Sequence, residues 1–218
     1  MAPSPGTRPM PPFDPRLAET YPAVIGCDEV GRGALCGPVM VAAVWFEPAA
    51  IQPGLLGRLD DSKRLKAAER EALTPLIRAQ ARVAVAAGSR ALVDRINVRA
   101  ATLDAMRRAV LALGLDAPVW VDGRDPVPGL ALPGRAVIGG DRLVPQIAAA
   151  SIVAKTLRDT LMRRLAGRYP DYGWASNVGY GTRTHLAGLA SRGRSPHHRL
   201  SFTRAYDIRT SSAGPTEP

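Results

Sequence analysis

Carboxylates stand where apolar strands should carry none. Asp28 and Glu29 interrupt the run that begins Val24-Ile25-Gly26-Cys27, Asp122 ends Val119-Trp120-Val121, and Asp141 follows Val137-Ile138-Gly139-Gly140. A carboxylate in or just beyond a central strand is costly to desolvate unless it is paired or bound to a cation. Any one of these acids could simply cap a turn beside glycine, as Asp122-Gly123 would unaided. Three strands sharing the feature, with no cysteine or histidine cluster beside them, point to one carboxylate-only site for a hard cation, Mg²⁺ or Mn²⁺. Adjacent strand residues face opposite ways, so Asp28 and Glu29 cannot both reach a cation from a regular strand. Either the glycine that follows lets the chain twist, or Glu29 acts through its carbonyl or from behind the ligands.

Next to the acidic pair lies Gly31-Arg32-Gly33, whose glycines permit close backbone approach to a sugar or phosphate, or else simply make a hairpin turn. A dinucleotide-binding loop is excluded, because Cys36 stands where the third glycine belongs and a strand follows instead of a helix. No nucleotide-triphosphatase loop or hydrolase elbow is present either. Asp60-Asp61-Ser62-Lys63 offers Lys63 to a phosphate, and Tyr180 sits between glycines in Asn177 to Thr182. Taken singly, Lys63 reads as a solvated loop residue and Tyr180 as a core aromatic. His185, His197 and His198 lack a metal-ligand spacing, and His197-His198-Arg199 is placed on a basic face.

The elements that must position these groups follow from periodicity. Ala23 to Val30 and Pro38 to Phe46, joined by a glycine-rich linker, predict a hairpin. A helical stretch from about Ala67 to Gln80, which Pro75 should kink or interrupt, leads to a third strand, Arg82 to Ala87. Leu103, Met106, Val110 and Leu113 mark an amphipathic helix within Asn97 to Leu113, ending at Gly114. Short strands are expected at Val119 to Val121 and Ala136 to Ile138. The stripe Ile147, Ala150, Ala154, Leu157, Leu161 and Leu165 predicts the longest helix. A hairpin followed by alternating helices and strands is a mixed α/β sheet with helices packed on it.

With 218 residues and 46% hydrophobic composition, the chain can bury a real core. Residues 1 to about 20 contain six prolines and read as a disordered leader, and residues from about 209 to 218 as a disordered tail. Between them, residues 21 to 166 form the expected core and 167 to 208 a basic helical extension. Two cysteines, Cys27 and Cys36, suggest neither a disulfide scaffold nor a zinc domain, so the reducing cytoplasm is expected. No apolar run reaches the ~20 residues of a membrane span. The net charge is +10, and Lys155 to Arg209 holds eleven Lys and Arg against three acids, which leaves +8 in the last quarter of the chain. So lopsided a field suits a nucleic-acid partner better than uniform solubilisation.

In order, Asp28-Glu29-Val30-Gly31-Arg32-Gly33, Asp61-Ser62-Lys63, Val121-Asp122-Gly123, Gly140-Asp141, Ala149-Ala150-Ser151-Ile152-Val153-Ala154-Lys155, Gly179-Tyr180-Gly181-Thr182 and His198-Arg199-x-Ser201-Phe202 resemble bacterial ribonuclease HII over about residues 22 to 203. The resemblance implies a ribonuclease H-like fold, a mixed five-stranded sheet flanked by helices with a helical C-terminal extension. It implies an endonuclease that cuts the RNA strand of RNA/DNA hybrids and nicks 5′ of a single ribonucleotide embedded in duplex DNA, leaving 3′-OH and 5′-phosphate ends. By the same resemblance Asp28, Glu29, Asp122 and Asp141 are catalytic metal ligands for two Mn²⁺ or Mg²⁺ ions. Gly31, Arg32 and Gly33 would sense the 2′-hydroxyl, Tyr180 would pack on the neighbouring deoxyribose, and Ser62 and Lys63 would help hold phosphates. The partners are thus an RNA/DNA hybrid and ribonucleotide-containing duplex DNA, with no membrane and a monomeric chain.

Val178 stands where the family often has a basic residue, and Leu200 where arginine is usual. Pro75 lies in a helix that is usually continuous. Two ions ~3.5–4 Å apart suit an in-line displacement at phosphorus, and the 2′-hydroxyl is what distinguishes RNA from DNA at one nucleotide. The alternatives are a catalytically silent RNA/DNA-binding protein and a DNA nuclease or recombinase on a related fold.

Overall fold

The computed structural model describes residues 13–204; residues 1–12 and 205–218, which hold most of the expected leader and the whole expected tail, lie outside the described residues. The sheet comprises β1 (Ile25–Val30), β2 (Val39–Trp45), β3 (Arg82–Gly88), β4 (Val119–Asp122) and β5 (Gly134–Val137), in the order β3-β2-β1-β4-β5. β1, β2 and β3 pair antiparallel, while β4 runs parallel to β1 and β5 parallel to β4. The helices are α1 (Pro53–Leu56), α2 (Ala67–Gln80), α3 (Arg90–Ile96), α4 (Val98–Leu113), α5 (Pro145–Ala166), α6 (Trp174–Asn177) and α7 (Arg183–Arg192).

Helices cover both faces of the sheet because its central strands are apolar on both. Ile25, Cys27, Val41 and Ala43 pack with Val119 and Val121 against Ala105, Met106, Ala109 and Val110 of α4. On the other face Ala42 and Val44 meet Ala148, Ala149, Ile152 and Val153 of α5 and Leu73 and Ile77 of α2. Fully burying each Val, Leu or Ile in these layers contributes ~1.5–3 kcal/mol. α5 crosses β1 at Gly26, where an added Cβ would overlap the backbone of Gln146 and Ile147. α4 is bounded as its sequence suggests: the Asn97 side chain accepts from the Ala100 N–H at 3.0 Å, and Gly114 closes the helix at φ 62°.

Three expectations are corrected. The disordered leader does not extend to residue 20: a 3₁₀ helix spans Pro15–Thr20, with the Asp14 carboxylate accepting from the Arg16 N–H. Fully buried Phe13, edge-on to Tyr21 at 5.7 Å, holds this segment on the core, so one aromatic anchor outweighs the proline content. α2 runs unbroken through Pro75, because Leu73 and Ile77 are both fully buried and hold the turns on either side of it. The basic face loses His198 and Arg199, both fully buried.

His198 belongs to a ring cluster in the C-terminal segment, with Tyr172, Trp174 and His185. The hydrogen bonds fix its protons. His185 Nδ1 faces the Tyr180 carbonyl at 2.9 Å and must donate, while its Nε2 accepts from Trp174 Nε1 at 3.1 Å. His198 Nδ1 accepts from the Ser195 N–H at 2.9 Å, which leaves its Nε2–H to donate to His185 Nε2, also at 2.9 Å. Cys36 lies beside the pair, its ligand atom within 4.8 Å of theirs. Yet the imidazole lone pairs are spent on hydrogen bonds, and burial pushes the Cys36 thiol up to about 12, so this trio is a packed neutral network rather than a metal site.

Burial, then the neighbouring His185, lowers the His198 pKa to about 4. A folded-state value below the unfolded one makes His198 contribute stability that is complete above pH ~6.5 and is lost on acidification toward pH 4. From pH 7 to pH 5 the loss is about 2 kcal/mol. Between pH 7 and pH 5, urea unfolding should find the wild type losing about 2 kcal/mol more than His198→Gln; equal pH dependence in the two proteins would mean that the fold does not lower the pKa of this ring.

Candidate active site

The sheet gathers the acids. Val121 is the β4 partner of Cys27, so Asp122 follows alongside Asp28, and both lie on the α5 side by strand alternation. The Asp122 carboxylate accepts from the Gly140 N–H at 2.8 Å, which ties the end of β4 to the 3₁₀ turn Gly140–Arg142 that carries Asp141. β1 stays in register with β2 through Val30, so no twist at the glycine brings Glu29 round to join Asp28. Glu29 projects to the α4 side at the strand's end and lines two clefts: one with Asp28, Ser62, Lys63, Ser151, Lys155 and Tyr180, of about 340 Å³, and a smaller one with Asp122, Arg32, Arg99 and Arg124.

Without a cation these groups repel one another. Burial raises Asp28 well above the usual carboxylate range, and Glu29 and Asp122 push it further. Burial raises Glu29 too, against the Arg32 guanidinium 3.2 Å away. Asp141 rises to about 6 through burial and then the charges of Asp61 and Asp122. Asp61 is a site residue that sequence reading passed over, since an acid in a polar turn reads as a turn cap. Burial opposes the charge on Lys63, but Asp61, Asp28, Asp141 and Asp122 outweigh it and keep the ammonium protonated. An oxygen-only donor set, partly buried and mutually repelling, fits a divalent cation.

The substrate-side residues take different positions. Ser62 lines the larger cleft but is buried, and its hydroxyl lies in hydrogen-bond contact with Ser151 Oγ at 2.8 Å. Ser151 in turn donates to Asp28. Arg70 holds the Ser62–Lys63 turn from beneath by donating to the Ser62 and Leu65 carbonyls at 2.9 and 2.6 Å, and it pairs with Asp159, which also binds Lys155. Of the glycine loop, Arg32 and Gly33 are exposed, while Gly31 is buried at φ 90° against Arg158, where an added Cβ would overlap the guanidinium. A Cβ on Gly33 would lie 4.0 Å from the Tyr180 ring, so the space between them is open.

The family described as Ribonuclease HII matches residues 25–205. The ribonuclease HII of Paramagnetospirillum magneticum is 51% identical over 180 residues, covering 82% of this chain and 89% of that protein. Among solved structures, the ribonuclease HII of Archaeoglobus fulgidus, in its complex with PCNA, superposes with a TM-score of 0.68 at 27% identity, covering 82% of this chain and 93% of that one. The ribonuclease H2 of Pyrococcus horikoshii superposes at 0.73, with 23% identity and 86% and 98% coverage. The family match over residues 25–205 and the 51% identity show that the chain belongs to the ribonuclease HII family of metal-dependent ribonucleases H.

Proposed function

We propose that the chain hydrolyses the RNA strand of RNA/DNA hybrids and nicks duplex DNA on the 5′ side of a single embedded ribonucleotide, leaving 3′-OH and 5′-phosphate ends. The observation that carries this reading is the adjacency of the four acids to an exposed Arg32-Gly33 backbone facing Tyr180 across an open gap. Asp28, Glu29, Asp122 and Asp141 are the residues that would hold divalent cations, Mg²⁺ or Mn²⁺. Two such ions, when bound, supply water activation and neutralise charge on the phosphate and the leaving 3′-oxygen. Lys63, kept protonated by the surrounding carboxylates, neutralises a substrate phosphate at the mouth of the cleft. Tyr180 offers its ring to a deoxyribose, and the loop amides offer donors to the 2′-hydroxyl. Ser151 orients Asp28 from below.

The test is a DNA duplex with one ribonucleotide, incubated with Mg²⁺ or Mn²⁺ and the cut mapped. A single cut 5′ of the ribonucleotide is expected. Tight binding in chelator with no cut on adding metal would replace the enzyme reading with a binding protein, and comparable cleavage of an all-DNA duplex would replace it with a DNA nuclease.

Duplex binding rests on charge. Arg163, Arg164, Arg168, Arg183, Arg192 and Arg204 are exposed on the C-terminal segment. With about four phosphate contacts, affinity should fall on the order of 10²-fold between 50 and 200 mM salt. A filter-binding series that stays flat over that range would remove this face from the contact surface.

A further inference from the structure

Two arginines of the basic C-terminal quarter are fully buried, and neither forms an ion pair among the described residues. Both spend their donors on carbonyls of the loops beside the acids. Arg199 donates to Gly31 and Arg32 at 2.8 Å each and to Gly37 at 3.0 Å. Arg158 donates to Val178 at 2.8 Å and to Cys36 and Pro38 at 3.1 Å each, with its guanidinium 5.6 Å from the Tyr180 ring centroid. Burying an unpaired guanidinium is costly, and the fold does so twice behind one loop.

The peptide plane explains what this achieves. In a trans peptide, C=O and the following N–H point in opposite directions. With the carbonyls of Gly31 and Arg32 drawn inward to Arg199, the amides of Arg32 and Gly33 point away from it, and neither takes a hydrogen bond among the described residues. These are two consecutive free donors. On the other side of the gap, Val178 is held at φ 43°, a left-handed conformation that a β-branched residue resists, and its carbonyl is the one bonded to Arg158. That strained turn sets Tyr180 in place.

We propose that Arg158 and Arg199 are positioning residues for ribose recognition: together they fix the Arg32 and Gly33 amides and the Tyr180 ring at the spacing that separates ribose from deoxyribose. The assignment rests on the ribonucleotide-nicking reading above. A lysine keeps the charge but lacks the planar fork and cannot hold three carbonyls at once.

Single-turnover cleavage at one embedded ribonucleotide gives a half-saturating concentration, and competition by the same duplex with deoxyribose at that position gives an inhibition constant. The inhibition constant divided by the half-saturating concentration, with enzyme counted as the active fraction found by stoichiometric titration, measures discrimination. Arg158→Lys and Arg199→Lys should each lower this ratio on the order of tenfold, mainly by raising the half-saturating concentration, with the saturated rate changing less. A wild-type ratio in folded variants would overturn the proposal. Should neither variant fold, the wild type decides through its amide resonances in Ca²⁺: Arg32 and Gly33 should shift with the one-ribonucleotide duplex and not with the all-DNA one, and equal shifts overturn it. A wild type that fails to discriminate fails the nicking reading itself, whereas a discriminating wild type with undiminished variants overturns only the role of the arginines.

Discussion

Asp28→Asn should bind a ribonucleotide-containing duplex and not cut it, with turnover lowered by at least about 10³-fold. The carboxylate is buried in the plane of the sheet's central strand, bonded to Ser151 and flanked by Glu29 and Asp122. Its amide keeps the volume and the bond from Ser151 but removes the charge that organises cations. Phosphate contacts on the exposed arginines are untouched, so affinity in chelator should stay within a factor of about three. The variant should also be more stable than the wild type in chelator. A carboxyl whose folded-state pKa is raised contributes stability below its unfolded value of ~3.8 and loses it as pH rises through the folded value. At pH 7 the wild type therefore carries a penalty that Asn lacks, and the gap should close as pH falls toward 4. Urea midpoints in EDTA measure it. A variant with near wild-type cleavage in Mg²⁺ would take Asp28 out of the site.

Gly26→Ala should destabilise the protein by about 3 kcal/mol or more, out of proportion to one methyl group. The new Cβ would meet the backbone of Gln146 and Ile147 in the first turn of α5, and backbone has no rotamer into which to retreat. α5 must lift from β1. Because Asp28 lies two residues along β1, and Ser151 and the Asp141 turn lie on or just before α5, the same displacement should spread the acids and weaken cation binding. Denaturant midpoints and Mn²⁺-induced thermal shifts, read on one preparation, give both effects. A loss of under about 1 kcal/mol would show that α5 can slide without cost.

The acids were legible in the sequence because an apolar strand with a carboxylate at its end carries its own contradiction. The strands and the two long helices were legible for the same kind of reason, since period 2 and period 3.6 are imposed by burial. The arginines were not. Arg158 and Arg199 have the same letter as exposed Arg163 and Arg183, and only tertiary carbonyls 20 to 168 residues away distinguish them. His198 was misplaced likewise, for no local pattern reports that its ring is enclosed by Tyr172 and Trp174. Of the alternatives left open for Asp28 and Glu29, a twist at Gly31 is absent; the two acids point to opposite faces and meet only at the strand's rim. Asp61 was visible as part of a polar turn, but its partner Asp141 is supplied by another segment. Val178, read as a missing basic contact, instead supplies a carbonyl to Arg158.

The bond from Arg199 to the Gly31 carbonyl spans 168 residues, almost the whole described chain. During synthesis β1 and its loop emerge early, and by the time α5 is complete all four acids and both flanking helix layers are in hand. The glycine loop, however, waits for a guanidinium made more than thirty residues later. Domains consolidate from the N-terminus as they are made, and long-range contacts form last. The growing chain therefore acquires its strand-end acids before the anchor of its glycine loop, and a chain stopped short of residue 199 would possess the first without the second.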